Sequence, residues 1–506
     1  MNEQAKIGAF IKDLREGRGM TQGALARALA TSQSAVARME AGKQNFTTKE
    51  LAKVSEALER RIVVIPESTD FRIEGGRQLS GSIATNYSKN GSVVLLCAAL
   101  LNRGKTILHG ISRIEEVNRL IEVLQSIDVS VKWTGKNTVE IVPPKHFALA
   151  RLDTTAAARI RSSIMLIGPL IHFVKNFDLP HAGGCKMGQR TIAAHRYGLE
   201  ELGVKIVTEE THYRVSAKRL HAADIVMYEA GDTATNNVLM AAALTQGTTI
   251  IRFAPPNYQV QELCFFLETL GVKIEGIGTT TLVVHGISPS KLPDTTIEYH
   301  NSEDPIESMM FISAAITTHS TLTITRCPID FLSIELLKLK KMGLKYTQSV
   351  AYKAENGRTL LVDLVIKPSS LSAPADKIHA LPYPGINSDN LPFFVPIATQ
   401  AKGTTLIHDW MWENRAIYFT ELNRLGARVD LADPHRVFVT GPSKLKGAQI
   451  VCPPALRPAM IILIGMLAAE GTSYLRNVYS INRGYEEIAK RLNTIGAKID
   501  VLHGIS

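Results

Sequence analysis

Apolar residues recur at helical spacing through the first 61 residues of the chain. This period predicts short helices, with inward-facing positions Ile7, Phe10, Ile11, Leu14, Leu25, Ala26, Leu29, Val36 and Met39. Gly19 is placed to end the first helix, Thr21 to cap the second, and Thr31 or Ser32 to start the third. A helix, a tight turn and a second helix of this size form the geometry that lays one helix in the major groove of DNA.

The rest of the chain repeats a different pattern. A helix-like segment ends in an apolar residue and is followed by Gly, a small or apolar residue, a basic residue and a β-former, with the glycines at Gly203, Gly271, Gly343, Gly426 and Gly496. A degenerate sixth copy without the glycine is centred on Ile127. A second motif, Gly followed by a strand pattern, begins at Gly104, Gly247, Gly403 and Gly471.

The glycine of the first motif fits a left-handed helix end that leads into a strand. A period of roughly 70 residues is long enough for a small packed α/β unit. The pattern therefore predicts six α/β units in two lobes of three, with a ligand site in a polar cleft between the lobes.

The composition excludes several classes of protein. A chain of 506 residues is long enough for about three domains, and 45% hydrophobic with 21% charged residues excludes wholesale disorder. The longest apolar run, 459–469, is shorter than the ~20 residues that span a bilayer, and residues 1–6 have no apolar signal core. We therefore expect a cytoplasmic protein. The five cysteines stand apart from one another, which argues against a disulfide framework or a zinc site.

The positive charge is concentrated at the N-terminus, where residues 1–61 hold 11 Lys and Arg against 7 Asp and Glu. The stretch 20–42 resembles the phage-repressor (Xre-like) helix-turn-helix family. The resemblance implies a DNA-binding domain over 1–65, in which Gln22 contacts phosphate and Gln33, Ser34 and Arg38 contact base edges or the backbone. A helical dimerisation or docking module that does not bind DNA is the alternative.

Clustered reactive residues interrupt the apolar pattern at four places. Lys89 and Asn90 precede a buried-looking run, and the glycine-rich stretch 181–190 presents Cys185 beside Lys186 and Arg190, which would lower the pKa of the thiol. The third cluster is 387–390. The fourth comprises 413–415 and 482–486, where two arginines, Arg415 and Arg483, stand at matching positions in two repeats. Paired arginines of this kind favour a shared anion.

Residues 68–505 resemble the enolpyruvyl transferases, and among them most closely the UDP-N-acetylglucosamine enolpyruvyl transferase family. The Gly-Gly-Cys-x-x-Gly-x-Arg loop and the Lys-Asn pair carry the resemblance. It implies an α/β fold, a two-lobed inside-out α/β barrel of six βαβαββ repeats, preceded by the small all-α helix-turn-helix domain. One lobe would comprise 66–88 plus 303–506, and the other, with the cysteine loop, 89–302.

The resemblance also implies a role for individual residues. The cations that bind phosphoenolpyruvate would be Lys89, Arg190, Arg415 and Arg483. Cys185 matches the loop cysteine that adds to phosphoenolpyruvate and is alkylated by fosfomycin, and Asp389 matches the general base. Acceptor contacts would come from Asn90, Arg161, Asp389 and Arg457. No cofactor and no metal are expected, and we expect a homodimer.

Three segments depart from the family pattern, namely 191–194, 229–233 and 453–455. Segments 191–194 and 229–233 bear on the acceptor, and 453–455 replaces a further acidic site residue of the family, whereas the phosphoenolpyruvate half is intact. The favoured acceptor is UDP-N-acetylglucosamine, a step in peptidoglycan precursor synthesis. Another nucleotide such as UMP is the alternative, as is a DNA-binding regulator whose transferase-like body senses a ligand without turnover.

Overall fold

The computed structural model describes residues 3–44, 46, 48–58, 67–183, 191–292 and 295–505. The chain divides into two compact units, Met1–Thr69 with His503–Ser506, and Asp70–Leu502. In the described part the α-helices are α1 Glu3–Gly17, α2 Gln22–Ala28, α3 Gln33–Glu40, α4 Thr48–Ala57, α5 Lys89–Ala98, α6 Glu115–Ser126, α7 Thr154–Ala157, α8 Ile167–Leu170, α9 Ala193–Glu200, α10 Asp232–Ala243, α11 Tyr258–Thr269, α12 Pro305–Thr317, α13 Ser333–Met342, α14 Phe394–Ala398, α15 Leu456–Ala468, α16 Tyr479–Asn482 and α17 Ile488–Thr494.

The strands are β1 Glu67–Gly75, β2 Ser82–Ala84, β3 Thr106–His109, β4 Ser130–Trp133, β5 Thr138–Val142, β6 Asn176–Pro180, β7 Val204–Thr208, β8 His212–Ala217, β9 Asp224–Val226, β10 Gly247–Arg252, β11 Lys273–Glu275, β12 Thr281–Gly286, β13 Ile297–His300, β14 Leu322–Pro328, β15 Lys345–Gln348, β16 Tyr352–Lys353, β17 Leu360–Lys367, β18 Ile378–His379, β19 Gly403–His408, β20 Arg428–Asp433, β21 Arg436–Gly441, β22 Gln449–Val451, β23 Gly471–Arg476 and β24 Ile499–Ile505. Over the described residues they form six sheets, with the orders β22-β23-β1-β24, β11-β12-β10-β9, β13-β3-β5-β4, β15-β17-β14-β2, β18-β19-β21-β20 and β6-β8-β7.

The N-terminal unit folds as its apolar pattern predicts. The Thr21 hydroxyl accepts a hydrogen bond from the Ala24 amide at 3.1 Å and caps α2, and Ser32, rather than Thr31, caps α3. The predicted inward positions Ile11, Leu25 and Val36 are fully buried, whereas the side chain of Phe10 lies outside the described part of the structure. The predicted helix-turn-helix is confirmed.

The glycines of the first repeat motif have the predicted left-handed conformation. Their φ angles are +88° at Gly203, +87° at Gly271, +109° at Gly343, +90° at Gly426 and +96° at Gly496. In the degenerate copy the left-handed residue is Asp128, with φ +66°, so the equivalent position is 128 and not 127. Aspartate is among the few residues besides glycine that adopt this conformation without large strain.

The second motif also leads into strands as predicted. Its glycines at 247, 403 and 471 have positive φ angles, and the glycines that face them across the sheet have a packing role. Gly247 lies opposite Gly286 in the antiparallel pair of β10 and β12, and the same pairing joins Gly403 to Gly441 and Gly471 to Gly75. A Cβ on Gly286 would lie 1.9 Å from the carbonyl oxygen of Thr245. The sheet therefore approaches the end of the preceding helix more closely than a side chain would permit.

Two hydrophobic cores lie within the 70–502 unit. One is built from residues 93–299, and the other mostly from 71–83 and 306–499. Helix α12 is buried on every face, and α15, which contains the longest apolar run, is buried along nearly its whole length. None of the described helices is long and apolar enough to cross a membrane.

Candidate active site

A polar cavity of about 220 Å³ lies where residues from both cores meet. Its wall is formed by the start of α5, the start of α6, the start of α15, and residues that follow β19 and α16. The lining side chains that carry charge are Lys89, Glu116, Arg161, Asp389, Arg415, Arg457 and Arg483. Asn90, Ser162, Thr233, Gln259 and Trp412 add polar surface.

This cavity brings together seven of the site residues predicted from the sequence, namely Lys89, Asn90, Arg161, Asp389, Arg415, Arg457 and Arg483. They come from segments as far as 394 positions apart along the chain. The other two predicted residues of the transferase site, Cys185 and Arg190, lie outside the described residues. Arg415 and Arg483, which stand at matching positions in two repeats, line the same cavity as predicted.

Lys89 is held at the first turn of α5. The Ser88 hydroxyl caps this helix by accepting from the Gly91 amide at 2.9 Å, and the Lys89 amide donates to Asp304 Oδ2 at 3.2 Å. The ammonium Nζ lies 2.8 Å from Glu116 Oε2, and Arg483 Nη2 lies 3.9 Å from the same oxygen. Burial opposes ionisation of Glu116, but Lys89 and Arg483 outweigh it and lower the pKa of that carboxyl.

Arg415 is fully buried and anchored along one edge of its guanidinium. Asp409, also fully buried, accepts from its Nε and from Nη2 at 2.8 Å, and the Ser388 carbonyl accepts from Nη2 at 2.7 Å. Nη1 is buried and has no hydrogen-bond partner among the described residues, with Asp389 Oδ1 3.8 Å away. A guanidinium fixed in this way offers its remaining donors to an anion in the cavity.

Asp389 faces this cluster of cations as a carboxylate. Arg457 donates to its Oδ2 from Nη2 at 3.0 Å and to the Tyr485 hydroxyl from Nη1 at 2.8 Å. Burial alone would raise the pKa of Asp389, but the charges of Arg457 and Arg415 lower it below the usual range. The group is therefore ionised at neutral pH and can accept a proton.

The charged lining of the cavity, as far as the structure describes it, has a positive excess. Five lining side chains are cationic and two are carboxylates, and the buried Asp409 pairs with Arg415 from behind the wall, which leaves an excess of two positive charges. A small ligand that carries a phosphate and a carboxylate brings about three negative charges at neutral pH. The arrangement is suited to binding such an anion and to stabilising negative charge that develops during a reaction.

Two of the segments that depart from the family pattern, 191–194 and 229–233, lie at the edge of this cavity. Arg161 Nη2 donates to the Thr191 carbonyl at 2.9 Å. Asp232 accepts from Asn257 Nδ2 at 2.9 Å and from Gln259 Nε2, and burial raises the pKa of Asp232 to about 6. The Asp232 carboxyl is thus buried and held by two side-chain amides.

Sequence reasoning missed two acidic partners of the site, Glu116 and Asp409. Glu116 follows Glu115 in the first turn of α6, where acidic residues are common because they complement the helix dipole. Asp409 directly follows β19 and stands six positions before Arg415. The short spacing between Asp409 and Arg415 could have indicated an ion pair. An aspartate and an arginine near each other in sequence, however, usually form only a surface salt bridge.

The residues predicted to bind DNA lie in the N-terminal unit. Gln33, Ser34 and Arg38 are exposed on α3. Gln22 is only partly exposed, and its Nε2 donates to Glu40 Oε2 at 2.9 Å. Glu40 is itself paired with the buried Arg15. The side-chain amide of Gln22 therefore already makes a hydrogen bond within the N-terminal unit.

Comparison with protein families gives a separate match for each of two parts of the chain. Residues 73–492 match the family of EPSP synthase (3-phosphoshikimate 1-carboxyvinyltransferase), and residues 11–65 match a helix-turn-helix family. The structure of the enolpyruvyl transferase NikO from Streptomyces tendae superimposes with a TM-score of 0.72 at 24% identity, covering 87% of this chain and 100% of that one. The fold of the 70–502 unit is thus that of the enolpyruvyl transferases.

Relatives of higher identity give a finer assignment. The UDP-N-acetylglucosamine 1-carboxyvinyltransferase of Bradyrhizobium diazoefficiens is 36% identical over 431 residues, which cover 85% of this chain and 97% of that protein. The enzyme of the same name from Treponema denticola is 35% identical over 436 residues, 85% of this chain and 99% of that protein. The chain, with its added helix-turn-helix segment, therefore belongs to the enolpyruvyl transferases, in the family of the UDP-N-acetylglucosamine 1-carboxyvinyltransferases.

Proposed function

We propose that this enzyme transfers the enolpyruvyl group of phosphoenolpyruvate to a hydroxyl of UDP-N-acetylglucosamine and releases phosphate, as a step in peptidoglycan precursor synthesis. The observation that carries the proposal is the excess of positive charge around the ionised Asp389 in one cavity. Phosphoenolpyruvate has one phosphate and one carboxylate, whose negative charge is opposite in sign to that excess. The acceptor is inferred from the relatives that bear its name.

In the proposed reaction Asp389 accepts the proton of the acceptor hydroxyl while the hydroxyl oxygen bonds to C2 of phosphoenolpyruvate. A proton is added to C3 in the same step, and Cys185 is assigned as its donor by family resemblance. In the second step the Cys185 thiolate takes a proton back from C3 of the tetrahedral intermediate as the C2–O bond to phosphate breaks. This restores the double bond and releases phosphate.

The cations have the larger energetic role in this scheme. Lys89, Arg415 and Arg483, together with Arg190 of the cysteine loop, would bind phosphoenolpyruvate and stabilise the departing phosphate. Asn90, Arg161 and Arg457 would contact the acceptor, with Arg457 also holding Asp389 in place at 3.0 Å. No step in this scheme requires a metal or a cofactor.

We also propose that the six sheets correspond to six βαβαββ repeats, arranged as a two-lobed inside-out barrel. The lobes would be 89–302 and 66–88 plus 303–506. The two cores and the buried helices α12 and α15 support this arrangement, as do the left-handed glycines that recur at the same point of five units.

The acceptor is tested by supplying phosphoenolpyruvate with UDP-N-acetylglucosamine, with UMP, or with no acceptor, and measuring phosphate release. We expect release with UDP-N-acetylglucosamine. Preference for UMP would retain the chemistry but change the acceptor, in line with the altered segments 191–194 and 229–233. Absence of release with any nucleotide would favour the ligand-sensing regulator instead.

A second function is proposed for residues 1–65, which would bind double-stranded DNA. The exposure of Gln33, Ser34 and Arg38 on one helix supports it, as does the match to a helix-turn-helix family. Such modules commonly bind as dimers to half-sites about one helical turn apart, so we propose a homodimer. Selection from a pool of random-sequence duplex DNA, followed by sedimentation of the selected complex, tests both points.

A further inference from the structure

Two histidines and a glutamate lie together on the sheet that contains β3 and β13. These two strands are parallel neighbours, and His109 pairs in register with His300. Glu298 precedes His300 by two positions in β13, so its side chain points to the same face of the sheet. The cluster is therefore fixed by strand pairing and not by a loop.

The three side chains are close enough to share one ligand. One potential ligand atom from each of His109, Glu298 and His300 can be chosen so that all three lie within 4.8 Å of one another. The imidazole rings stack with centroids 4.3 Å apart, and His109 Nε2 lies 2.6 Å from Glu298 Oε1. Donors on a tetrahedral zinc ion lie roughly 3.3 Å apart, so the two rings would turn out of their stack until one nitrogen of each points at the same ion.

Each histidine is also oriented by an oxygen on its other side. His109 Nδ1 lies 3.1 Å from Thr138 Oγ1, and His300 Nδ1 lies 3.0 Å from Glu355 Oε2. Without a metal, His109 Nε2 donates to Glu298 Oε1. When a metal ion replaces that proton, Nδ1 of each ring can carry the ring proton and donate it to these oxygens, which leaves the lone pair of Nε2 for the ion. Histidines that bind metals in proteins are held by the same kind of outer hydrogen bond.

The surroundings favour a cation at this point. Glu298 and Glu355 place two carboxylates beside the imidazoles. The nearest cation that contacts them among the described residues is Arg326, 3.5 Å from Glu355, and it is paired more closely with Glu303. The side chains remain reachable from solvent, with 25% of His109, 61% of Glu298 and 35% of His300 exposed.

We propose that His109, His300 and Glu298 form a binding site for a late first-row divalent transition metal ion, of which zinc is the representative. Two neutral imidazoles and one carboxylate form a ligand set that zinc accepts, with water in the fourth position. The site lies outside the cavity that contains Asp389, so it is separate from the transferase chemistry. Because Glu355 follows β16, in the part of the chain that builds the second core, the bound ion would reinforce a contact between the two cores.

The test measures zinc binding to the full-length, metal-free protein by equilibrium dialysis and by calorimetry, with His109→Ala, His300→Ala and His285→Ala variants. His285 is a matched control, since it is also an exposed strand histidine paired with a glutamate, Glu275, at 3.0 Å. We expect the wild-type protein to bind one zinc ion. His109→Ala and His300→Ala should each weaken this binding at least tenfold, and His285→Ala should leave it unchanged. Cobalt should give an absorption band of tetrahedral cobalt with the wild-type protein and not with His109→Ala.

Phosphate release and the thermal midpoint without metal show whether each variant is folded. Zinc should raise the midpoint of the wild-type protein and not that of His109→Ala. Equal zinc affinity in the wild-type protein, His109→Ala and His300→Ala would overturn the proposal, and so would failure of the wild-type protein to bind zinc. These outcomes are independent of whether the acceptor is UDP-N-acetylglucosamine.

Discussion

Buried carboxyls with raised pKa values make the stability of the transferase unit depend on pH, and Glu335 is one of them. Glu335 occupies an inward position of α13 and is 1% exposed. Its Oε1 accepts from the Asn387 amide at 3.3 Å and from Asn390 Nδ2 at 2.8 Å, so it holds both ends of the segment that contains Asp389. Its Oε2 is buried with no hydrogen-bond partner among the described residues. Burial raises the pKa of Glu335 from 4.5 to about 7.

The direction of the effect follows from this raised pKa. The protonated form contributes its full stabilisation below pH 4.5, and this contribution is lost as the pH rises through about 7. Each tenfold difference in proton affinity is worth roughly 1.4 kcal/mol. Between pH 5 and pH 8 the free energy of unfolding should therefore fall by roughly 2–3 kcal/mol through this group alone.

Glu335→Gln removes the titration while retaining the shape and the acceptor oxygen. We expect the free energy of unfolding of the variant, minus that of the wild type, to rise by roughly 2–3 kcal/mol from pH 5 to pH 8. Urea denaturation can be followed by intrinsic fluorescence, since the three tryptophans all lie within the 70–502 unit. The matched control is Glu201→Gln, at an exposed carboxylate, which should show no such trend. A difference between Glu335→Gln and wild type that does not vary with pH would refute the reasoning.

Three further predictions concern the reaction and the N-terminal unit. Asp389→Asn should lower phosphate release by about 10²–10⁴-fold while calorimetry still detects phosphoenolpyruvate binding, and turnover within tenfold of wild type would exclude Asp389 as the base. Cys185→Asp should retain turnover and lose covalent labelling by fosfomycin, because a carboxylic acid can still donate a proton, so an inactive variant would count against the acid role of Cys185. Gln33→Ala combined with Arg38→Ala should abolish binding of the selected duplex without changing phosphate release, and wild-type DNA binding should weaken steeply with added salt.

Much of the local structure could be predicted from the sequence because it depends on short-range chemistry. The cap at Thr21 and the left-handed turns at Gly203 and its equivalents follow from side-chain hydrogen bonding and from the absence of a Cβ. Asp128 did not stand out because the other five copies have glycine at this point, although a short polar side chain tolerates the same backbone conformation. The choice of Ser32 over Thr31 depends on a one-residue difference in where α3 begins.

The candidate site was predicted only in part, because its acidic residues have ordinary sequence contexts. Arg415 and Arg483 were predicted because arginines at matching points of two repeats are unusual, whereas Arg161 and Arg457 were predicted only from the family resemblance. Glu116, by contrast, has the context of a helix-start acid, and its burial between Lys89 and Arg483 depends on how α5, α6 and the region after α16 pack together. Long-range packing of this kind is not encoded in any short motif. The roles of Cys185 and Arg190 stay predictions, because they lie outside the described residues.

The central claim is that one cavity both binds phosphoenolpyruvate and carries out the transfer. The most direct measurement mixes the protein with phosphoenolpyruvate and UDP-N-acetylglucosamine, then follows phosphate and the mass of the acceptor together. We predict one phosphate for each acceptor molecule that gains a carboxyvinyl group, and loss of both signals in Asp389→Asn. Absence of any carboxyvinyl product with this acceptor and with UMP, or an undiminished yield in Asp389→Asn, would contradict the account.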